Sequence, residues 1–283
     1  AMEHGTGLQY FGRRFKNAGR YYDVGIAEEF GVTFASALGA GGMLPVFAIY
    51  STFLQRGYDQ LIHDAAIEKR HIVLGVDRAG IVGDDGETHQ GIFDVAFLST
   101  IPGVTVLAPA NYAELKAMLK GALNDFNGPV AVRYPRGGES SALAQYPATG
   151  KAFDEYTAPG AKRAIVTYGR TFAAAGEAAE RFGDTAVIKL NRILPLDGGA
   201  VAAAAQYNNF ICRGGYPQRR GRDAVYRRTG VKRLPWKNRA ARDRRLCTAK
   251  LGGKRAAYVA AGRRWAYFTA AANGRMTGAC WNE

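Results

Sequence analysis

Cysteine and tryptophan are missing from the first 206 residues; all three of each lie in the last 77. A stretch without cysteine has no disulfide framework and no thiolate metal site. Acidic residues are scarce at the other end. Residues 207–283 hold 3 Asp+Glu against 19 Lys+Arg, a net of +16, whereas residues 1–206 hold 21 against 19, a net of −2. The formal charge of +14 therefore belongs to one segment. That segment has no histidine either, and Cys212, Cys247 and Cys280 lack zinc-ligand spacing, which excludes a His/Cys metal site there. No apolar run reaches the roughly 18 residues a membrane span needs. No secretory leader is visible at the N-terminus. The expectations are no membrane partner and a cytoplasmic location.

From Tyr21 onward, apolar runs alternate with amphipathic stretches. Strands are expected over 21–26, 44–50, 71–77, 104–109 and 129–135, and helices over 27–40, 52–69, 92–99 and 111–125. The strands are near-continuous apolar runs, such as Leu44-Pro-Val-Phe-Ala-Ile-Tyr50. That is the pattern of a parallel sheet covered on both faces, so the fold class is α/β. Asn111 with Glu114 reads as a capping box. Residues 1–20 read as a linker with a Phe11/Phe15 apolar anchor, and 139–160 as a second, Gly/Ser/Ala/Pro-rich linker. A second unit, 161–206, begins with strand 164–168, helix 171–182 and strand 185–190. It is too short to complete an α/β domain and would leave a sheet edge exposed.

Chemistry-bearing residues concentrate in Arg78-Ala-Gly-Ile-Val-Gly-Asp-Asp-Gly-Glu-Thr-His89-Gln-Gly, directly after an expected strand. Open α/β sheets bind ligands beyond the carboxyl ends of their strands. Asp85 and His89 are either loop caps or proton-handling groups. Gly80, Gly83 and Gly86 suggest a loop mobile enough to close over a substrate. Arg78 and Arg136 each follow a buried strand, and two guanidinium forks at one sheet end suit a phosphate. Arg133 is the poorer candidate. Glu28 is either an acid favoured by a helix N-terminus or a site carboxylate. Tyr50 and Phe53 are core aromatics unless a flat ligand needs them. His63 and His71 read as structural, and His4 as linker.

Asp77-Arg-Ala-Gly-Ile-Val-Gly83, followed by Asp85-Gly-Glu-Thr-His89-Gln-Gly, resembles the signature of the 1-deoxy-D-xylulose-5-phosphate synthases. These are thiamine-diphosphate enzymes of the transketolase superfamily. Gly5-Thr-Gly-Leu8, Tyr22-Asp-Val-Gly-Ile-Ala-Glu28, Ala48-Ile-Tyr-Ser-Thr-Phe-Leu-Gln-Arg56, Tyr58-Asp-Gln-Leu-Ile-His-Asp64 and Val132-Arg-Tyr-Pro-Arg-Gly137 fit the same family. One such motif is weak; several in order, from about Gly5 to about Tyr207, are specific.

The resemblance implies that 21–138 is a thiamine-diphosphate pyrimidine-binding domain and 161–206 the start of a transketolase C-terminal domain. Glu28 would hydrogen-bond the aminopyrimidine ring, favouring the imino tautomer that takes the thiazolium proton. A carboxylate beside an apolar pocket suits such proton sharing. Phe53 would stack on that ring, and Tyr50 and Arg56 would line the substrate side. Arg78 and Arg136 would bind the phosphate of D-glyceraldehyde 3-phosphate, with Asp85 and His89 near the reacting carbonyls. The implied reaction decarboxylates pyruvate and ligates the two-carbon unit to that aldehyde, towards isoprenoids and thiamine. Thiamine diphosphate and Mg²⁺ are the implied cofactors, and a homodimer the implied full-length state. No Gly-Asp-Gly with a suitably spaced Asn occurs in the 283 residues, so the metal ligands are expected outside them and little activity is expected of the chain alone. Phe30 stands where the family has His, which bears on the contact beside Glu28.

Residues 207–283 depart from the family. Arg219-Arg220, Arg227-Arg228, Arg244-Arg245 and Arg263-Arg264 among aromatics suit a nucleic-acid-binding tail. A shifted reading frame suits them better. Cys212 to Arg222 can be back-translated so that reading one base later gives Val-Glu-Glu-Gly-Ile-Arg-Ser-Gly-Gly-Ala. Lys237 to Cys247 in the same shift gives Lys-Thr-Ala-Pro-His-Ala-Thr-Asp-Gly-Phe-Val. Both resemble family sequence, so the tail is expected to be disordered and nucleic acid not a partner. Two other readings remain: a pyrimidine-binding subunit of a split transketolase-like enzyme, and a nucleic-acid-binding protein acting through the tail.

Overall fold

The computed structural model describes residues 3–83 and 85–207, and beyond them the backbone of strands at 209–213, 224–227, 256–261, 264–270 and 276–281. Strands β1 (Val46–Tyr50), β2 (Val73–Asp77), β3 (Thr105–Leu107) and β4 (Val130–Arg133) form a parallel sheet in the order β1-β2-β4-β3. Every residue of β2 and β4 is buried, which is why their sequence shows no polar face. Successive side chains point to opposite faces. Leu74 and Val76 accordingly share a core with Val32 and Ala35 of α2 (Glu28–Ala40). Val73 joins Ala122 of α3 (Tyr112–Asn124) on the other face. Gly31 lets α2 approach the sheet, since a Cβ there would lie 2.2 Å from the Phe47 ring.

The segment 21–26, expected as a strand, is a connection. Asp23 accepts the Gly25 N–H at 2.9 Å, and Gly25 takes φ +66, so a local turn breaks the extended run. The helix expected over 52–69 is divided: Ser51–Leu54, a 3₁₀ turn at Gln55–Gly57, a turn at Tyr58–Gln60 and a π-helix at Leu61–Ile67. Residues Gln9–Phe15, in the expected linker, form helix α1, and the Phe11 and Phe15 rings meet at 4.5 Å.

A second sheet contains β5 (Phe153–Tyr156), β6 (Arg163–Tyr168), β7 (Thr185–Leu190), β9 (Asn209–Arg213) and β10 (Ala224–Arg227) in the order β10-β9-β6-β7-β5. Its inner strands β9, β6 and β7 are parallel and its edges antiparallel. β5 lies within the expected 139–160 linker and covers one edge of the core strands. Between the two units, β8 (Arg192–Leu194) pairs antiparallel with β3 and closes the first sheet. Three further strands, Ala256–Ala261, Arg264–Ala270 and Met276–Trp281, pair as an antiparallel sheet. The tail expected to be disordered thus carries strands where it is described. Its other residues, including Trp236 and Cys247, lie outside the described ones.

A buried ionic node joins the units. Lys189 of β7, fully buried, donates to Asp154 of β5 at 3.1 Å and to Glu114 of α3. Asn191 donates to Asp154 at 2.8 Å. Asn111 caps α3 as expected, accepting the Glu114 N–H at 2.9 Å, and its amide reaches the Leu143 and Tyr146 carbonyls. Glu114 reaches back to the Ala110 N–H at 2.8 Å instead of the cap's own N–H. Burial alone raises the Asp154 pKa, but hydrogen bonds from Asn191 and Thr149 and the Lys189 charge hold it below the ordinary carboxylate value. Among the described residues, no helix is long and apolar enough to cross a membrane.

Candidate active site

The site lies beyond the carboxyl ends of β1, β2 and β4. These strands are neighbours, with Tyr50 opposite Asp77 and Val76 opposite Arg133, so the residues that follow each strand converge. All eight residues singled out in the sequence fall in this region.

Glu28 opens α2 and is 4% exposed. A buried carboxylate is costly unless paired. Arg56 donates to it at 3.1 Å, and that guanidinium, 46% exposed, lies 4.6 Å over the Phe53 ring. Tyr50 and Phe53 stack with centroids 5.8 Å apart. His89 meets Phe53 edge-on at 5.1 Å and Tyr50 at 6.1 Å. The three rings make one aromatic wall, linked to Glu28 through Arg56. Burial pushes the Tyr50 phenol upward, opposed by the nearby Arg78 charge.

Arg78 has φ +57, a conformation uncommon for a side-chain-bearing residue and typical of functional sites when it is held by its surroundings. Its Nη1 donates to Asp77 at 2.6 Å and to the Gly5 carbonyl at 2.9 Å, and its Nε donates to Asp85 at 2.6 Å. Its own backbone N–H donates to Asp77 at 2.6 Å. The guanidinium sits 3.8 Å over the Tyr50 ring. Arg136 donates to the other oxygen of Asp85 at 2.5 Å. Two arginines therefore converge on a single anionic position. The Gly5 contact makes the N-terminal segment part of this site.

Asp77 opens the family-like signature in the sequence, but no site role was expected of it. Burial raises its carboxyl pKa, and Arg78 opposes that rise. The Tyr134 hydroxyl is pushed up by burial and by the Asp77 charge. Arg133 forms a buried pair with Asp94 at 2.8 and 3.2 Å and faces Tyr168. His63 is exposed and pairs with Asp59. Phe30 is 55% exposed and stacks on Phe34, with Tyr22 edge-on to Phe34, so an apolar surface stands where the family's His would be.

The loop from Gly80 to Gly91, expected to be mobile, is tied at its neck. Gly80 and Gly91 exchange backbone hydrogen bonds of 2.6 and 2.8 Å. A Cβ on Gly91 would lie 2.0 Å from the Arg78 carbonyl oxygen and 2.7 Å from Ser51 Oγ. Gly91→Ala is expected to destabilise the chain by about 1–3 kcal/mol through overpacking. Urea denaturation checks the size, and faster amide exchange at Gly80 would show that the neck has opened.

Residues 1–138 match the family model for the transketolase pyrimidine-binding domain. The chain is 50% identical over 188 residues to the 1-deoxy-D-xylulose-5-phosphate synthase of Clostridium kluyveri, covering 66% of this chain and 30% of that protein. It is 46% identical over 209 residues to the synthase of Azoarcus sp., covering 72% and 33%. Among solved structures, a split gene transketolase described as an inactive beta4 tetramer matches with a TM-score of 0.61 at 23% identity, covering 70% of this chain and 66% of that one. Fold and site together define a transketolase-type pyrimidine-binding domain followed by a second α/β unit. The chain belongs to the transketolase superfamily and, within it, with the 1-deoxy-D-xylulose-5-phosphate synthases. It spans about a third of the length of the curated relatives it matches. Among the described residues, no group of three His, Cys, Asp or Glu is placed to hold a metal ion.

Proposed function

We propose that this chain carries the pyrimidine-binding and acceptor-binding side of a 1-deoxy-D-xylulose-5-phosphate synthase. The observation that carries the reading is the convergence of Arg78 and Arg136 on one anionic position, next to the aromatic wall and Glu28. The residues fit thiamine diphosphate: a buried carboxylate can share a proton with an aminopyrimidine ring, and Phe53 offers it a flat face. When bound, the cofactor supplies the electron sink for decarboxylating pyruvate and passing the two-carbon unit to an aldehyde. Glu28 would hold the proton at the pyrimidine ring nitrogen. Phe53 would orient that ring, and Tyr50 and Arg56 would bound the substrate space.

Arg78 and Arg136 would take the phosphate of D-glyceraldehyde 3-phosphate in forked hydrogen bonds, Asp85 giving up its place to the incoming anion. His89 would move a proton at the acceptor carbonyl. Mg²⁺ would be held with the cofactor's diphosphate by residues other than those described. A homodimer is part of the proposal, supported by the exposed Phe30 and Ile26 close to Glu28 in sequence. A cytoplasmic setting suits both substrates, and the product would feed isoprenoid and thiamine synthesis. The split-enzyme reading is not favoured. Its structural neighbour is 23% identical, against 44–57% for the synthases. Nothing among the described residues supports the nucleic-acid reading.

The test is release of CO₂ from pyruvate by the chain supplied with the family's diphosphate-binding domain. Release that needs thiamine diphosphate and rises with D-glyceraldehyde 3-phosphate is expected. Release indifferent to both would sink the proposal.

A further inference from the structure

We infer that Gln90 is a positioning residue: its side-chain amide stands in for a missing strand in the loop 80–91 and so fixes where His89 and Asp85 stand. The inference rests on the reading of those two residues as acceptor-side groups. Gln90 Oε1 accepts the Val82 N–H at 2.7 Å. Its Nε2 donates to the Val82 carbonyl at 2.5 Å and to the Gly86 carbonyl at 2.7 Å. One side chain thus pairs both backbone groups of Val82, as a neighbouring strand would, and also reaches across the loop.

Val82 is buried, so its backbone groups have little water to turn to if that amide is removed. Gln90 is extended, at φ −78 and ψ 118. His89 closes the 3₁₀ turn Glu87–His89 directly before it, so anchoring the Gln90 side chain fixes the end of the turn from which the His89 ring meets Phe53 and Tyr50. Holding the Gly86 carbonyl likewise fixes the backbone just after Asp85, whose two oxygens reach Arg78 and Arg136. The Gly80–Gly91 pair sets only the neck. The placement of both functional side chains depends on the amide above it.

Two near-isosteric changes separate hydrogen bonding from shape. Glu at position 90 keeps an acceptor but would turn carboxylate oxygens towards two carbonyls. Met keeps the length and has no amide. The experiment is NMR of the full chain with labelled histidines, which number four, the His89 signal being assigned from a His89→Asn variant. In the parent, ring currents from Phe53 and Tyr50 displace the His89 signal. Gln90→Glu and Gln90→Met are expected to return it towards the free-histidine position and to speed Val82 amide exchange at least about tenfold. The His63 and His71 signals should stay put. If Gln90→Glu moves every signal, Gln90→Met is decisive by the same criterion. A His89 signal and Val82 exchange unchanged in Gln90→Met would overturn the inference.

In the enzyme completed with a diphosphate-binding domain, the KM for D-glyceraldehyde 3-phosphate should rise on the order of 10–100-fold, with the KM for pyruvate unchanged. Equal rises in both would mark a merely structural residue and count against the inference. Release of His89 with no change in acceptor KM would support the positioning and refute the acceptor-side reading of His89 itself.

Discussion

Glu28→Gln, in the enzyme completed with a diphosphate-binding domain, is expected to lower the rate of pyruvate decarboxylation about 10²–10⁴-fold, the range for loss of a positioned proton-transfer group. The change keeps the size of the side chain and leaves Arg56 an oxygen to bond. It removes the charge that would draw a proton onto the cofactor ring. Glu29 is the internal control. It is the next residue of the same helix, it is exposed, and it shares the favourable helix N-terminus. If Glu28 mattered only as a helix-terminal acid, Glu29→Gln would cost as much, and either change would amount to less than about 1 kcal/mol. Saturating-cofactor kcat for both variants distinguishes the two accounts, and parity between them would refute the cofactor role.

The second large effect lies away from the site. Lys189→Ala should destabilise the chain by about 3–5 kcal/mol, because removing one member of a buried ion cluster strands the others. Two carboxylates, Glu114 and Asp154, would then share a buried space with no cation. The pH dependence has a definite sign. In the parent the Asp154 pKa lies below its unfolded value, near 3.8. Its stabilising contribution is therefore full above that value and is lost as pH falls through the folded one. Without Lys189 its charge and its hydrogen bond no longer oppose burial, so the Asp154 pKa rises in the variant, held back only by the Asn191 and Thr149 hydrogen bonds. The stability gap between parent and variant should accordingly narrow in mild acid. Urea denaturation at neutral and acidic pH checks both the size and the trend. A gap that is small at neutral pH, or that widens in acid, would contradict the node's assignment.

The parallel sheet was legible because strands covered on both faces leave unbroken apolar runs, as in β2 and β4. The site was legible for a related reason. A residue that follows a buried strand must emerge at the same sheet end as its neighbours, so Phe53, Arg78 and Arg136 meet although far apart in sequence. What stayed hidden depends on partners that no local pattern encodes. β5 reads Phe-Asp-Glu-Tyr, and its inward acid makes sense only once Lys189 faces it. The strand expected over 21–26 is overruled by a turn between Asp23 and Gly25. β8 crosses to the other sheet, which its own three residues cannot announce. Gln90 and Asp77 both lie in the family-like signature, but what each side chain bonds shows only once the backbone is folded. Even the longer family matches leave about a quarter of the chain uncovered, in keeping with the compositional break after residue 206.

Acceptor choice tests the central claim most directly. The completed enzyme would be assayed for ligation of pyruvate to D-glyceraldehyde 3-phosphate and to D-glyceraldehyde, in the parent and in an Arg78→Ala, Arg136→Ala double variant. If the two arginines form the phosphate site, the parent prefers the phosphorylated acceptor by ~100-fold or more in kcat/KM, and the double variant loses most of that preference while still decarboxylating pyruvate. A parent that uses both acceptors equally, or a preference that survives in the double variant, would contradict the account.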